Sequence, residues 1–217
     1  MIFVNFKSYK QALGEKSVSL AKRCLSISRT TKTPIIPIVS VADLYRVKTE
    51  LKSEVWVQHI DPKKSDRNTG WVTALSVKLA GASGVLLNHS EHPLTFKEIV
   101  FCLKEAKKNR LKTLVCVGDI AMAGKVDSLG PDFIALETPE LIAGKKAMVE
   151  FPKEQIKIKK FVKVIKHSWP IIGAGIRDNE DIVKSLQLGM RGALIASRIV
   201  KAHNPREIIT QLAKSFT

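Results

Sequence analysis

The feature that most restricts the fold of this chain is a regular alternation of short apolar runs with longer segments of helical periodicity. Runs rich in β-branched and other apolar residues occur at 2–6, 35–38, 55–58, 84–88, 112–116, 132–136, 170–173 and 192–196. Segments whose apolar residues recur every three or four positions lie between them, at 15–29, 41–52, 72–80, 95–109, 119–129, 153–167, 178–188 and 205–215. The pattern predicts eight consecutive strand–helix units.

Local signals support several of the predicted helix boundaries. Thr95 is followed three positions later by Glu98, which is the spacing of a capping box. Pro205 follows Asn204, an arrangement typical of a capped helix with proline at its first position, and Gly189 follows the last turn of its segment. These residues indicate that the periodic segments are separate helices with short connections.

Eight strand–helix units in one uninterrupted chain predict an α/β protein with a closed parallel sheet. Such alternation gives parallel strands with right-handed crossovers, and eight units close into a (β/α)8 barrel. No Ser/Gly-rich linker divides the 217 residues, so residues 1–217 are predicted to form a single domain. An open doubly wound sheet is the alternative, and it is disfavoured because no GxGxxG motif follows an early strand.

The charge balance is strongly basic and bears on the class of partner. The chain has 36 lysines and arginines against 20 acidic residues, a net charge of +16. Such an excess favours nucleic acid, an acidic surface or an anionic small substrate. Because the lysines at 153–166 alternate with apolar residues, they are typical of a solvated helix face. No nucleic-acid-binding motif accompanies them, so no nucleic-acid partner is expected.

Cysteine usage and hydropathy indicate the compartment. The three cysteines, Cys24, Cys102 and Cys116, form no CxxC pair, which argues against a disulfide scaffold or zinc site and suits a reducing environment. No apolar run approaches the roughly 20 residues that span a bilayer, so no membrane association is expected. Strand-like sequence begins directly after Met1 with no visible signal peptide. A cytoplasmic location is therefore predicted.

Polar residues follow the predicted strands at the end where barrel enzymes bind their substrates. An ammonium, an imidazole, a carboxylate and two small-residue turns are expected to converge there. The residues that follow the strands are Asn5, Lys7, Gln58, His59, Asn88, His89, Glu91, Glu137, Gly173–Gly175, Ala196 and Ser197. Of these, His59 shows no convergence with the others and is predicted to be structural or exposed.

Several of these stretches, taken in order, resemble the triosephosphate isomerase family. The matching motifs are NFK (5–7), LNHSEH (87–92), FIALETPELI (133–142), GAGI (173–176) and IAS (195–197). The resemblance is closest to the short archaeal form, to which QHIDP (58–62), NTG (68–70), LGPDFIA (129–135) and NED (179–181) are also similar. It extends from Asn5 to about Pro205. It implies interconversion of dihydroxyacetone phosphate and glyceraldehyde 3-phosphate, with no cofactor and no metal.

The resemblance also implies a role for each matching residue. Glu137 is expected to be the base that moves a proton between two carbons of the triose, and His89 the neutral electrophile that polarises the carbonyl. Lys7 and Asn5 are expected to hold the substrate, with Glu91 as a supporting carboxylate. The phosphate is expected against backbone N–H groups of Ile142, Gly175, Ala196 and Ser197.

The residue types agree with the chemistry that the resemblance implies. Removing a proton beside a carbonyl leaves an enediolate, so a base must face the carbon while hydrogen-bond donors face the oxygens. A phosphate dianion is bound well by backbone amides at turns of small residues. The segment 138–148 is expected to close over the site and exclude water.

Four residues depart from the pattern of the family. Thr138 stands where proline usually follows the glutamate, Ala143 where glycine is usual, Arg177 where serine is common and Arg198 where glycine is preferred. Arg198 admits two interpretations. If the backbone there needs a left-handed conformation or close approach to the phosphate, a side chain weakens binding. Alternatively, its guanidinium and that of Arg177 can bracket the phosphate.

These departures leave an alternative function open, a catalytically weak phosphate-binding paralogue of the same fold. The segment 60–72 resembles the protruding loop with which family members dock into a neighbouring subunit. The resemblance therefore implies a homodimer or a homotetramer.

Overall fold

The eight predicted strands form one closed barrel. The structure, a computed structural model, describes residues 1–137 and 152–216. All strands are parallel and each pairs with its neighbours in chain order, while β1 also pairs with β8 and so closes the sheet. They are β1 (Ile2–Asn5), β2 (Ile35–Val39), β3 (Trp56–Val57), β4 (Gly84–Leu87), β5 (Lys112–Val117), β6 (Phe133–Leu136), β7 (Trp169–Ile172) and β8 (Gly192–Ile195). The predicted (β/α)8 fold class is confirmed.

Helices follow the strands throughout the described part of the chain. They are α1 (Glu15–Thr31), α2 (Val41–Leu51), α3 (Ala74–Leu79), α4 (Phe96–Lys108), α5 (Ile120–Asp127), α6 (Pro152–Val164), α7 (Asn179–Gln187), α8 (Ser197–Val200) and α9 (Pro205–Ala213). The predicted segments correspond to all of these except the short helix α8. Short 3₁₀ turns at Lys10–Ala12 and Lys214–Phe216 complete the described helical structure.

The predicted helix boundary signals have the geometry expected of them. The hydroxyl of Thr95 accepts a hydrogen bond from the backbone N–H of Glu98, and the Glu98 carboxylate accepts one from the N–H of Thr95. Asn204 accepts a hydrogen bond from the N–H of Glu207 at the start of α9. These bonds satisfy donors that have no partner within their own helix.

The barrel interior is a packed core with aromatic rings at its centre. The rings of Phe3, Trp56 and Phe133 meet with centroids 5.1 to 6.0 Å apart and steeply inclined planes. Gly84 faces this cluster, and a Cβ atom there would lie 2.3 Å from the indole of Trp56. Only glycine fits at that point of β4, because the large indole occupies the space of a neighbouring side chain.

A second apolar layer lies between the barrel and its helices. Alternate residues of the strands, such as Val4, Val85 and Val115, point outward and pack against buried helix residues such as Ile99 and Phe161. Strands that are covered on both sides need continuous apolar sequence, which is why they were recognisable as runs. This packing fixes the strand ends that carry the polar residues.

Two further observations concern the surface and the cysteines. Within the described ranges, no helix combines the length and the apolar character needed to cross a membrane. Cys24, Cys102 and Cys116 are buried and unpaired. The cytoplasmic location stays a prediction.

Candidate active site

A cavity of about 280 Å³ opens at the carboxyl ends of the strands. Nine of the residues that follow the predicted strands line it: Asn5, Lys7, His89, Glu137, Gly173–Gly175, Ala196 and Ser197. Glu91 contacts Lys7 from the side, and Ile142 lies outside the described residues. Residues that follow five strands, β1, β4, β6, β7 and β8, thus meet in one place, because the barrel brings the strand ends together.

The turn after β4 is built around Asn88. Its φ angle is +57°, in the left-handed region that asparagine tolerates better than most residues. Its side-chain amide donates to the carbonyl of Cys116 at 2.7 Å, and its side-chain oxygen accepts from the N–H of Leu94 at 2.8 Å. Asn88 therefore ties the turn to the neighbouring strand and directs the next residue, His89, into the cavity.

His89 is held as a neutral imidazole with a defined tautomer. The backbone N–H of Glu91 donates to Nδ1 of His89 at 3.1 Å, which places the proton of the neutral ring on Nε2. Burial lowers the pKa of His89 to about 4, with a further contribution from the positive charge of Lys7 and a smaller opposing one from Glu91. The ring is therefore uncharged near neutral pH and presents an N–H donor to the cavity.

Glu137 follows β6 and is buried, with 3% of its surface exposed. Its Oε1 lies 3.3 Å from Nε2 of His89, and its Oε2 accepts from the backbone N–H of Ser90 at 3.1 Å. Burial raises the pKa of Glu137 to about 7, although the hydrogen bonds from Ser90 and the thiol of Cys116 and the charge of Lys7 oppose the rise. This carboxyl group can gain or lose a proton near neutral pH.

The position of Glu137 depends on a small neighbour. A Cβ atom at Gly173 would lie 2.8 Å from Cγ of Glu137 and 2.8 Å from the carbonyl oxygen of Leu136. The first glycine after β7 therefore leaves room for the glutamate side chain. This close approach gives a physical reason for the GAG sequence beyond turn formation.

Lys7 occupies a strained backbone position at the end of β1. Its φ angle is +47°, and its N–H donates to the side-chain oxygen of Asn5 at 3.0 Å. The amide of Gln58 donates to the same oxygen at 3.3 Å and to the carbonyl of Lys7 at 3.0 Å. Nζ of Lys7 forms an ion pair with Glu91 at 2.6 Å. A non-glycine residue in the left-handed region costs on the order of 1 kcal/mol or more. These hydrogen bonds therefore keep Lys7 in a backbone conformation that it would otherwise avoid.

The turns after β7 and β8 form a further part of the cavity lining. Gly175 has a φ angle of +72°, and Ala196 immediately precedes the short helix α8. Arg177 and Arg198 also line the cavity. Arg198 lies within α8 and is not among the residues with positive φ. The interpretation that its side chain strains a left-handed backbone is therefore wrong.

His59 and His92 meet outside the cavity, close to Asp61. Possible ligand atoms of these three residues lie within 4.8 Å of one another. The two rings, however, are stacked with centroids 3.9 Å apart and planes inclined by 17°. The nitrogen lone pairs of an imidazole lie in its ring plane, so nearly parallel rings cannot both point at one metal ion. The arrangement is a stacked pair held by a hydrogen bond from His59 to Asp61.

Some predicted features fall on residues that the structure does not describe. The proposed closing segment 138–148 lies there, with Ile142 and the family departures Thr138 and Ala143. What was expected of these residues stays a prediction.

Several contacts in the site were not identifiable from the sequence. The backbone of Ser90, the thiol of Cys116 and the amide of Gln58 all contact residues predicted to act directly. Tyr9 lines the cavity and its ring lies 4.4 Å from Nζ of Lys201. Of these residues, Gln58 could be placed near the site from the sequence, because it follows a predicted strand at the same end of the barrel.

The arrangement supports proton transfer next to a carbonyl group. A carboxyl group that ionises near pH 7, a neutral N–H donor and an ammonium face one small cavity. The buried thiol of Cys116 has a pKa well above its usual range because of burial and the nearby Glu137, so it is not a thiolate nucleophile. Acid–base chemistry is therefore favoured over covalent catalysis.

Comparisons with known proteins agree with this chemistry. Residues 1–212 match the family model described as triosephosphate isomerase. The chain is 34% identical over 215 residues to triosephosphate isomerase of Methanosarcina barkeri, covering 98% of this chain and 97% of the relative. It is 36% identical over 218 residues to that of Saccharolobus solfataricus, covering 99% and 95%. The crystal structure of triosephosphate isomerase from Bartonella henselae superposes with a TM-score of 0.69 at 18% identity, covering 99% and 98%, which supports the fold alone.

Proposed function

The chain belongs to the triosephosphate isomerase family, and on that premise we propose how it interconverts dihydroxyacetone phosphate and D-glyceraldehyde 3-phosphate through an enediolate. It is an intramolecular aldose–ketose isomerase, like the curated relatives it matches. Glu137 acts as the base and His89 as the electrophile. The reaction uses no cofactor, because the proton that leaves one carbon returns to its neighbour.

The proposed cycle needs three groups in the cavity. The carboxylate of Glu137 removes a proton from the carbon next to the carbonyl, and the electron pair of that C–H bond moves to the carbonyl oxygen. Nε2–H of His89 donates to this oxygen, while the ammonium of Lys7 stabilises the negative charge. Glu137 then returns its proton to the other carbon. Nε2 of His89 gives its proton to the former carbonyl oxygen, which becomes the hydroxyl, and takes the hydroxyl proton of the neighbouring oxygen, which becomes the new carbonyl.

The observation that carries this proposal is that Glu137 and His89, whose nearest side-chain atoms are 3.3 Å apart, have pKa values shifted in opposite directions. The pKa of Glu137 is raised to about 7 and the pKa of His89 is lowered to about 4. Above pH 7 the pair is thus a carboxylate beside a neutral imidazole. The first is a base and the second a hydrogen-bond donor, as enolisation requires.

The turns after β7 and β8 are proposed to bind the phosphate. Gly175, Ala196 and Ser197 line the cavity, and small residues allow a phosphate to approach their backbone N–H groups. By the family resemblance, Ile142 contributes from the segment 138–148, which closes over the substrate. Glu91 supports Lys7 through their ion pair.

A coupled assay of the purified protein with glyceraldehyde 3-phosphate tests the proposal. Production of dihydroxyacetone phosphate by the wild-type protein, well above the spontaneous rate, is the expected result. The alternative, a catalytically weak phosphate-binding paralogue, predicts turnover near the spontaneous rate with measurable binding of inorganic phosphate.

The pH dependence of kcat/KM is expected to follow the ionisation of Glu137. Its carboxylate is the active form, so activity should fall about tenfold per pH unit below pH 7 and level off above it, given a pKa of about 7. His89, with a pKa of about 4, stays neutral across this range. Initial rates between pH 5 and 9 at constant ionic strength measure the profile. A profile that is flat down to pH 5 would contradict the raised pKa.

A homodimer or homotetramer is also proposed, on the basis of the loop at 60–72. Asp61 closes its base, since its backbone N–H donates to the carbonyl of Val72 and its carboxylate accepts from the N–H of Val72, both at 2.7 Å. Trp71 on this loop is 49% exposed, so its ring is available for contact with a neighbouring subunit. Light scattering should give a mass two or four times the chain mass of 24.1 kDa. A monomer at micromolar concentration would contradict the proposal.

A further inference from the structure

We propose that Arg198 binds the phosphate group of the substrate through its guanidinium side chain. The proposal rests on the proposed isomerase function and deepens it, because it adds a charged side chain to a subsite otherwise made of backbone N–H groups. Arg198 then determines how strongly phosphorylated substrates are preferred over unphosphorylated ones.

Arg198 lies in the same cavity as the reacting residues, and a hydrogen bond orients its side chain. It lines the cavity together with Lys7, His89 and Glu137. Its Nε donates a short hydrogen bond of 2.6 Å to the backbone carbonyl of Arg177. This bond joins the turn after β8 to the turn after β7, the two segments between which the phosphate is proposed to bind.

The acceptor of that hydrogen bond is itself held in place. The backbone N–H of Arg177 donates to Oδ2 of Asp181 at 2.9 Å, and Asp181 is 1% exposed at the start of α7. The Arg177 peptide is thus tied to a buried carboxylate on one side and to Arg198 on the other. The guanidinium plane of Arg198 is constrained by a rigid partner.

The rest of this guanidinium remains available for a ligand. Only Nε has a partner among residues 1–137 and 152–216, and the two terminal nitrogens form neither a hydrogen bond nor an ion pair there. These two nitrogens carry four N–H groups in a planar fork that matches two phosphate oxygens. A guanidinium with one N–H fixed and the others free is preorganised for an oxyanion.

Charge balance in the cavity supports the same conclusion. The ammonium of Lys7 is paired with Glu91 at 2.6 Å, and the guanidinium of Arg177 contacts the carboxylate of Asp181 at 3.5 Å. Arg198 has no carboxylate within ion-pair distance in the described part of the chain. It therefore contributes a positive charge that no described acidic residue compensates, next to the small-residue turns where a phosphate dianion is proposed to bind.

The competing explanation is that Arg198 only connects the two turns. Replacement by glutamine separates the two roles, because the side-chain nitrogen of glutamine occupies the same position along the chain as Nε of arginine. R198Q can keep the hydrogen bond to the carbonyl of Arg177 while it removes the terminal nitrogens and the charge. R198K keeps a charge without the planar fork.

Calorimetric titration with glycerol 3-phosphate tests the proposal without requiring turnover, since this compound has no carbonyl to isomerise. R198Q and R198A are expected to bind it at least about tenfold more weakly than the wild type, with R198K intermediate. R191A is the matched control, because Arg191 lies at the opposite end of β8 over the ring of Trp169. R191A should bind as the wild type does.

Steady-state kinetics provide a second, independent measurement. R198Q should raise KM for glyceraldehyde 3-phosphate by a similar factor, keep kcat within about threefold, and leave kcat/KM for unphosphorylated glyceraldehyde unchanged. If R198Q binds glycerol 3-phosphate like the wild type, or loses activity equally towards both substrates, the proposal is wrong. A wild-type protein that binds glycerol 3-phosphate through Arg198 but does not isomerise would instead overturn the proposed function alone.

Discussion

Replacing Glu137 by glutamine is expected to lower kcat for isomerisation by about 10²–10⁴-fold, the usual contribution of a positioned general base. Glutamine has nearly the same shape, and its side-chain oxygen can still accept the hydrogen bond from the N–H of Ser90. The variant therefore can keep the hydrogen bond to Ser90 while it loses the ability to accept a proton. KM should change little, because this substitution leaves the proposed phosphate contacts in place.

The stability of this variant provides the fold control. The pKa of Glu137 is raised from 4.5 to about 7 in the folded protein, so between these pH values the folded state binds more protons than the unfolded state. The free energy of unfolding therefore falls as pH rises through this window, because the buried carboxyl group of Glu137 loses its proton and becomes charged. At pH 8 the E137Q variant should melt at a temperature no lower than that of the wild type.

The matched control for this substitution is E98Q. Glu98 is a solvated carboxylate in the capping box of α4, and glutamine can serve at this position of a capping box. E98Q should retain wild-type kcat. Equal and slow turnover by the wild type and E137Q would leave only the weak phosphate-binding alternative.

The barrel could be predicted from the sequence because its signals are local and repeated. Strands covered on both faces require uninterrupted apolar runs, such as IIPIV in β2, and the amphipathic helices between them require a different period. Once eight such units are counted, few topologies remain. The position of the site also follows from the fold, because (β/α)8 barrels bind their substrates at the carboxyl ends of the strands.

The fine structure of the site could not be predicted in this way, because it depends on contacts between distant segments. The hydrogen bond from the N–H of Ser90 to Glu137 joins residues 47 positions apart, and the one from Gln58 to the carbonyl of Lys7 joins residues 51 apart. The short helix α8 was missed because four residues cannot show helical periodicity. The raised pKa of Glu137 and the lowered pKa of His89 likewise come from burial, which only the packed structure defines.

Replacing His89 by asparagine is expected to lower kcat by about 10²–10³-fold, the usual loss when one donor to a developing oxyanion is removed. The side-chain oxygen of asparagine can take the place of Nδ1 and accept the N–H of Glu91. Asparagine is too short, however, to place a donor where Nε2 lies, 3.3 Å from Glu137. The variant thus separates the structural hydrogen bond of the ring from its proposed electrophilic role.

His89→Gln should recover part of this loss, because its longer side chain can bring a neutral N–H close to the position of Nε2. The exposed His203, changed to asparagine, is the matched control and should leave kcat unchanged. Coupled assays at pH 8 measure all three variants, and the fall of kcat/KM below pH 7 should persist in His89→Asn, since it belongs to Glu137. If His89→Asn instead retained full activity, or abolished the pH dependence, the imidazole would not be the electrophile. Full activity would exclude His89 from the reaction, and loss of the pH dependence would assign the titrating group to the imidazole instead of to Glu137.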